Sequence, residues 1–271
     1  MTKVKLLFDE LKLDGQDAES FLQGQTTADV RFAEDEVRLT AFCSAKGRVL
    51  SSGFLWRQGP VFHLLLVPGE GEFLQEHLKK YRLRAKVDFA LSQREALGII
   101  DPEQKDTLRR NNDLIAIVPG LAIALQEEDG SRETALWQQA LIEKELTLVH
   151  QSLKDRFLPQ MLNYDQFNAI GFAKGCYVGQ EVIARASLRG EVKRRARPFV
   201  SNLHLNVGDL LSTEMGGNAH AEVVSAASYG KDKVLALIIL PVGETTTYHF
   251  YRGENQVSLS PLKSAQTAHL P

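Results

Sequence analysis

From Arg197-Pro198 onward the chain is cut at short intervals by glycine-centred turns. That punctuation limits its possible folds more than any other feature. Val207-Gly208-Asp209, Met215-Gly216-Gly217-Asn218, Tyr229-Gly230-Lys231-Asp232 and Arg252-Gly253-Glu254-Asn255 separate apolar runs of strand length. A series of short strands joined by tight turns predicts a small β-barrel over residues 193–265, with 266–271 as a tail.

The preceding residues have a different texture. Residues 4–13 predict an opening strand. Residues 17–23 predict a short helix with Asp17 as N-cap and Gly24 just past its end. Val37 to Cys43 alternates at period two, placing Val37, Leu39, Ala41 and Cys43 on one face. Ser44-Ala45-Lys46-Gly47 reads as a hairpin turn before a strand running through Trp56. A further strand is expected over 61–67, an amphipathic helix over 71–81, and strands over 85–89 and 97–100. A helix and a strand are expected within 101–125. This order resembles a split βαβ layout. Ser131 is placed to cap a helix running to about Lys144, with Trp137 and Leu141 on one face.

The 271 residues suffice for two or three modest domains. A formal net charge of −2 gives no overall basic field to draw in nucleic acid. No apolar run approaches a membrane span and the N-terminus lacks a signal-type apolar stretch, so a cytoplasmic protein is expected. The two cysteines, Cys43 and Cys176, lie far apart. The seven histidines show no zinc or iron–sulfur spacing, and no stably bound metal is expected.

Chemistry concentrates in Lys174-Gly175-Cys176-Tyr177-Val178-Gly179-Gln180-Glu181. Two glycines bracket a cysteine, a lysine precedes it and a helix is expected to follow. Helix N–H groups and Lys174 would together favour a thiolate at Cys176, suited to a nucleophile, a redox group or a transient metal ligand. Cys43 reads as packing. Arg185 to Arg197 holds six basic residues and one acid, and Arg189, Lys193, Arg194 and Arg195 are expected to receive an anion. The run lacks interleaved aromatics, so direct nucleic-acid binding is not expected, although an RNA-binding module is one alternative reading. Trp137 reads either as helix packing or as the wall of a pocket for a flat ligand.

These residues resemble a known family. The segment Lys174–Glu181, followed by Arg185, Arg189-Gly190 and Lys193-Arg194-Arg195, is similar to the signature of the YgfZ/IBA57 proteins, relatives of the glycine-cleavage T-protein. Phe21 to Val30, Cys43-Ser44-Ala45-Lys46-Gly47-Arg48, and Leu158-Pro159-Gln160-Met161 with Asn163 also match in order and spacing. Ser44 stands where the family has aspartate. Glu143-Lys144-Glu145 stands where it has a glycine.

The resemblance implies an α+β fold: a T-protein-like ring of domains with a ferredoxin-like middle section and a C-terminal barrel. Residues 1–52 and 126–192 would form the central folate-binding domain, and 53–125 an inserted α+β domain. The implied ligand is tetrahydrofolate or a one-carbon derivative, held by Trp137, by Phe8 at a second tryptophan position, and by Tyr177 and Arg185. The implied function is accessory, in assembly or repair of iron–sulfur enzymes including tRNA-modifying ones, with Cys176 as the working thiol. Folate, iron–sulfur enzymes and assembly proteins are the implied partners. The alternative is a folate-dependent aminomethyl transferase, which needs a carboxylate beside the folate; Asp29 and Glu181 are its candidates.

Overall fold

The structure is a computed structural model that describes residues 1–126, 129–188, 192–243 and 248–262. In chain order the first unit contains β1 (Thr2–Asp14), α1 (Ala18–Gln23), β2 (Arg38–Cys43), β3 (Val49–Gln58), β4 (Val61–Leu66), α2 (Gly71–Arg82) and β5 (Asp88–Ile100). It continues with β6 (Arg109–Asn111), β7 (Leu114–Val118), β8 (Leu121–Ala124), α3 (Thr134–Glu143) and α4 (Gln180–Leu188). The second unit contains β9 (Arg194–Ser201), β10 (Leu210–Ser212), β11 (Ala219–Tyr229), β12 (Lys233–Pro241), β13 (Tyr248–Arg252) and β14 (Asn255–Pro261).

Eight strands form one sheet in the order β2-β3-β4-β1-β5-β8-β7-β6. The central strand, β1, pairs antiparallel with β4 on one side and β5 on the other. β4 and β5 are therefore parallel, with α2 crossing between them: a split βαβ unit. β3 runs across the expected boundary at 52–53, so the sheet is continuous through it. The chain ahead of β2 bonds to β6 and its flank, through Val37 N–H to Leu108 O at 2.9 Å and Arg110 N–H to Asp35 O at 2.7 Å, which curls the sheet on itself. The remaining six strands close into a barrel in the order β10-β11-β12-β9-β14-β13.

Each sheet face has its own core. The outer face, with Leu11, Leu13, Leu55, Leu64 and Leu66, packs on Phe21 and Leu22 of α1 and Leu74 and Leu78 of α2. The inner face, with Val4, Phe8, Leu39, Phe54 and Trp56, packs on α3, the segment 146–170 and the barrel residues Val224 and Leu235. The alternation in β2 holds: Val37, Leu39, Ala41 and Cys43 share the inner core while Phe42 enters the outer one. A separate core, including Phe199, Leu211, Ile238 and Phe250, fills the barrel.

Several local expectations are corrected. The two strands expected at 85–89 and 97–100 are one strand, β5, paired with β1 from Asp88 to Ile100. β8 covers only Leu97–Ile100 of its other edge, so the polar residues before it face water and hide the strand signal. The expected helix within 101–125 is absent among the described residues. Leu114–Val118 and Leu121–Ala124 form a hairpin about Pro119-Gly120, where Gly120 has φ +93°. Asp17 does not cap α1 through its side chain but accepts the Lys86 N–H at 2.8 Å. Gly24 is right-handed, at φ −84°. Helix α3 starts three residues after Ser131, whose hydroxyl accepts the Glu133 N–H.

Candidate functional site

The cysteine segment is held against two earlier parts of the chain. The hairpin between β2 and β3 turns at Gly47, with φ +70°, and Gly179 sits against it with φ +83°. A Cβ on Gly179 would lie 2.6 Å from Ser44 O and 2.8 Å from Gly47 Cα, so only glycine fits. Val178 N–H donates to Gly24 O at 3.2 Å. Ser44 donates its hydroxyl to Asp155 at 2.6 Å, so a carboxylate meets this turn from a different segment. Gln160 donates to Ile183 O at 2.7 Å and to Ser187 Oγ at 2.9 Å, tying the Leu158–Asn163 segment to α4. Three stretches distant in sequence thus meet in one corner.

Lys174 turns into this corner. Its buried ammonium donates to Thr26 O at 2.7 Å and Ala28 O at 2.8 Å, and lies 4.9 Å from the Tyr177 ring centre. Burial pushes Lys174 down to about 8, against the pull of the Asp29 carboxylate; the Arg31 charge adds to the fall. The expectation that Lys174 serves the thiol is corrected: its donors go to loop carbonyls. Helix α4 begins at Gln180, four residues past Cys176, so the thiol is not at the helix start. Cys176 is nonetheless exposed, as are Phe172, Ala173 and Gly175 beside it. Gly175 has open space around its Cα. Cys43 is buried, and burial pushes its thiol well above the ordinary range.

The other expected residues divide. Tyr177 is buried, and burial pushes its hydroxyl up to about 12. Arg185 pairs with Glu181 one turn earlier on the exposed face of α4. Arg195 forks onto Asp165 at 2.9 and 2.6 Å and also reaches Gln160 O. Arg194 donates to His220 O at 3.1 Å within the barrel. These two guanidinium groups therefore bind internal acceptors rather than presenting an open anion surface. Lys193 is exposed, and Arg189 lies outside the described residues.

Trp137 and Phe8 come together. Both line a cavity of about 680 Å3 between the inner sheet face, α3 and barrel strand β11. Trp137 lies on Gly98 of β5, where a Cβ would approach its ring to 2.6 Å. Leu6, Phe54, Leu141 and Val224 supply apolar wall, and Gln138, Thr147, His150 and Ser225 supply polar groups. A register shift between Val223 and Ser225 falls where β11 meets the cavity. Gln138 donates to Ser225 Oγ at 2.5 Å, joining α3 to the barrel. Buried Tyr164 donates to Thr147 O at 2.8 Å and accepts from the Ser52 hydroxyl at 2.7 Å, fixing the segment that carries Thr147. His150, the one titratable residue on the cavity wall among the described residues, is held below the ordinary imidazole range by burial; Glu70 opposes this and Lys154 adds to it.

No carboxylate lines the cavity among the described residues. Asp29 is bound by Arg31 at 2.8 Å and by Gln23, and the Arg31 hydrogen bond above all holds it far below the usual carboxylate range. Neither Asp29 nor any residue from 174 to 181 reaches the wall. The polar wall residues eluded sequence reading because Gln138 and Ser225 are 87 positions apart, and only the barrel's docking joins them. The available signal was the position of Gln138 beside Trp137 on one helix.

A curled antiparallel sheet joined to a closed barrel across an aromatic-walled cavity defines a T-protein-type fold. The crystal structure of glycine cleavage system aminomethyltransferase T from Bartonella henselae superposes with a TM-score of 0.70 over 96% of this chain and 85% of that one, at 16% identity. In sequence, the tRNA-modifying protein YgfZ of Aliivibrio fischeri is 30% identical over 257 residues, covering 84% of this chain and 80% of the relative. YgfZ of Escherichia coli O139:H28 is 30% identical over 215 residues, and an uncharacterized protein of Haemophilus influenzae 34% identical over 193. No family model matches the sequence. The chain belongs to the YgfZ family.

Proposed function

We propose that this protein binds a reduced folate in the Trp137 cavity and acts as an accessory factor in assembly or repair of iron–sulfur enzymes, including those that modify tRNA. The observation that carries the reading is the meeting of Trp137 and Phe8, 129 positions apart, in one cavity of about 680 Å3. That volume lies within the range of small-molecule sites, and aromatic walls with a few neutral polar groups suit a flat heteroaromatic head. Gln138, Thr147 and Ser225 are the groups placed to orient such a head. In this reading the sheet, the segment from α3 to Asn163 and the barrel are the three bodies of a T-protein-like ring.

When bound, a reduced folate would supply a one-carbon or redox-active pterin group. The chain's own contribution is to hold it out of water and to present Cys176 at a separate, exposed place, where the thiol can meet a cluster, a persulfide or a partner thiol. The transferase alternative has less support, because no carboxylate of the kind such proton transfer needs lines the cavity among the described residues. Two experiments test the reading. Tetrahydrofolate should quench tryptophan fluorescence, and Trp137→Phe should remove most of the quench while Trp56 stays. Cells lacking the protein should regain cluster-enzyme activity with the wild type but not with Cys176→Ser. Undiminished quenching in Trp137→Phe would move the ligand elsewhere.

A further inference from the structure

The inner sheet face carries a charge cluster that neither the cavity nor the cysteine corner uses. Glu10 follows Phe8 by two residues on β1, so both side chains project from the same face. Glu10 is only 2% exposed. One oxygen meets His63 Nδ1 at 2.8 Å, and the other lies 3.6 Å from Arg94 Nη1 and 4.0 Å from Lys12 Nζ. Arg94 stands directly across from Phe8 in the β1–β5 register and donates to Leu125 O at 3.1 Å. The His63 ring stacks on Trp56, with centroids 5.0 Å apart.

Burying a carboxylate among cations is a poor way to stabilise a sheet, because desolvation consumes most of the attraction. The cluster achieves something an apolar residue could not. It holds two cations from one side, with Arg94 steadied further by its Nη2 bond to Leu125 O, while part of each side chain stays open to solvent. The Arg94 and Lys12 side chains keep 33% and 41% of their surface exposed. One carboxylate does not neutralise both, so a positive, pre-oriented patch lies beside the Phe8 wall.

We infer that Arg94 and Lys12, positioned by Glu10, form an anion subsite next to Phe8 that takes the carboxylate-bearing tail of a ligand whose flat head lies beside Trp137. The inference rests on the folate reading and names the tail's partners. Trp137 packs on Gly98, and Arg94 is four residues along the same strand. That is about 13 Å at ~3.3 Å per residue, the order of the span from a pterin through its aminobenzoyl group to the glutamyl carboxylates. Each terminal guanidinium nitrogen carries a second N–H beyond the one turned to Glu10 or Leu125, so Arg94 can still donate to a carboxylate, and the lysine adds a mobile point charge for a second one.

The test is anaerobic calorimetric titration of a tetrahydropterin without a tail, monoglutamyl tetrahydrofolate and its triglutamyl form against wild type, Arg94→Gln and Lys12→Gln. Each substitution should weaken the triglutamyl ligand about tenfold, the monoglutamyl ligand less, and the tail-less pterin not at all. Among the described residues the Lys12 side chain makes one ion pair, at 4.0 Å, so Lys12→Gln keeps the test sound if Arg94→Gln folds poorly. Equal losses for all three ligands, or no loss for any, would overturn the subsite while leaving folate binding standing. Failure of the wild type to bind either folate would overturn the folate reading and the subsite together.

Discussion

The cysteine corner and the Trp137 cavity are built on opposite principles. The corner is dense in special residues: paired glycines, a buried lysine, a cysteine and an amide, Gln160, that bonds helix α4. Nearly all of them are spent on holding distant segments together, and among the signature residues the Cys176 thiol is the one chemically reactive group left facing outward. The cavity is made of ordinary apolar and neutral polar residues, yet it is where space for a ligand remains. A conspicuous motif can thus be mostly scaffold, while a cavity can be completed by polar residues, such as Thr147 and Ser225, that attract no notice in sequence.

The contrast is sharpest at the two thiols. Cys176, being exposed, should alkylate readily at neutral pH on the native protein. Cys43 must wait for its strand to open and deprotonates only with difficulty. Its labelling should be slower by a factor on the order of 10³ or more. Mass-spectrometric time courses with iodoacetamide would read both. Comparable rates would mean that the corner opens as readily as a loop.

Within the signature, its two glycines should behave differently. Gly179→Ala forces a Cβ into the Ser44 and Gly47 backbone at a positive φ. The cost should be about 2–4 kcal/mol. Gly175→Ala meets nothing and needs no unusual φ, so it should cost no more than ~0.5 kcal/mol. Urea unfolding of both variants decides whether the signature is scaffold, and equal effects would break the distinction.

Legibility in the sequence followed the range of the forces involved. The barrel was readable because its turns are local, and β2, β4 and α2 were readable because burial imposes their periods. The middle of β5 was not, since a half-exposed edge has polar residues and its pairing to β1 is made mainly by the backbone. Trp137 and Phe8 were identifiable through family likeness, but the cavity polar group Ser225 arrives from another unit. Within Glu143-Lys144-Glu145, Glu145 lies in the left-handed region that favours glycine, at φ +57°, held by its N–H bond to Ile142 O. Arg194 and Arg195 were misjudged because sequence shows charge but not the carbonyls and carboxylate that await it.

That last point gives a smaller test. Arg195→Gln breaks a fork with Asp165 in which both side chains are about one-fifth exposed, 22% and 23%. It should cost about 1–3 kcal/mol. Lys193→Gln, on the exposed neighbour, should fall within ~0.5 kcal/mol. A stability loss at Arg195 without any loss of folate affinity would assign that arginine to the scaffold.

The last expected effect concerns the charge buried in the corner. Lys174 has a folded value of about 8 against an ordinary 10.5, with burial as the main cause. Below about 8 both native and unfolded chains carry the proton, and the native state bears the cost of a desolvated ammonium. Between about 8 and 10.5 the unfolded chain holds more protons than the native one, so this group's contribution to stability rises with pH. Lys174→Met keeps the stem but removes the titration. The urea midpoint of the wild type should therefore gain on that of the variant between about pH 7.5 and 9.5. Comparing the two proteins at each pH cancels the other groups that titrate there. A gap that moves the opposite way would mean that the Thr26 and Ala28 carbonyls hold the ammonium more strongly than burial opposes it. Lys174 would then be a clamp that alkali loosens, and the corner's rigidity would depend on a charge rather than on close packing.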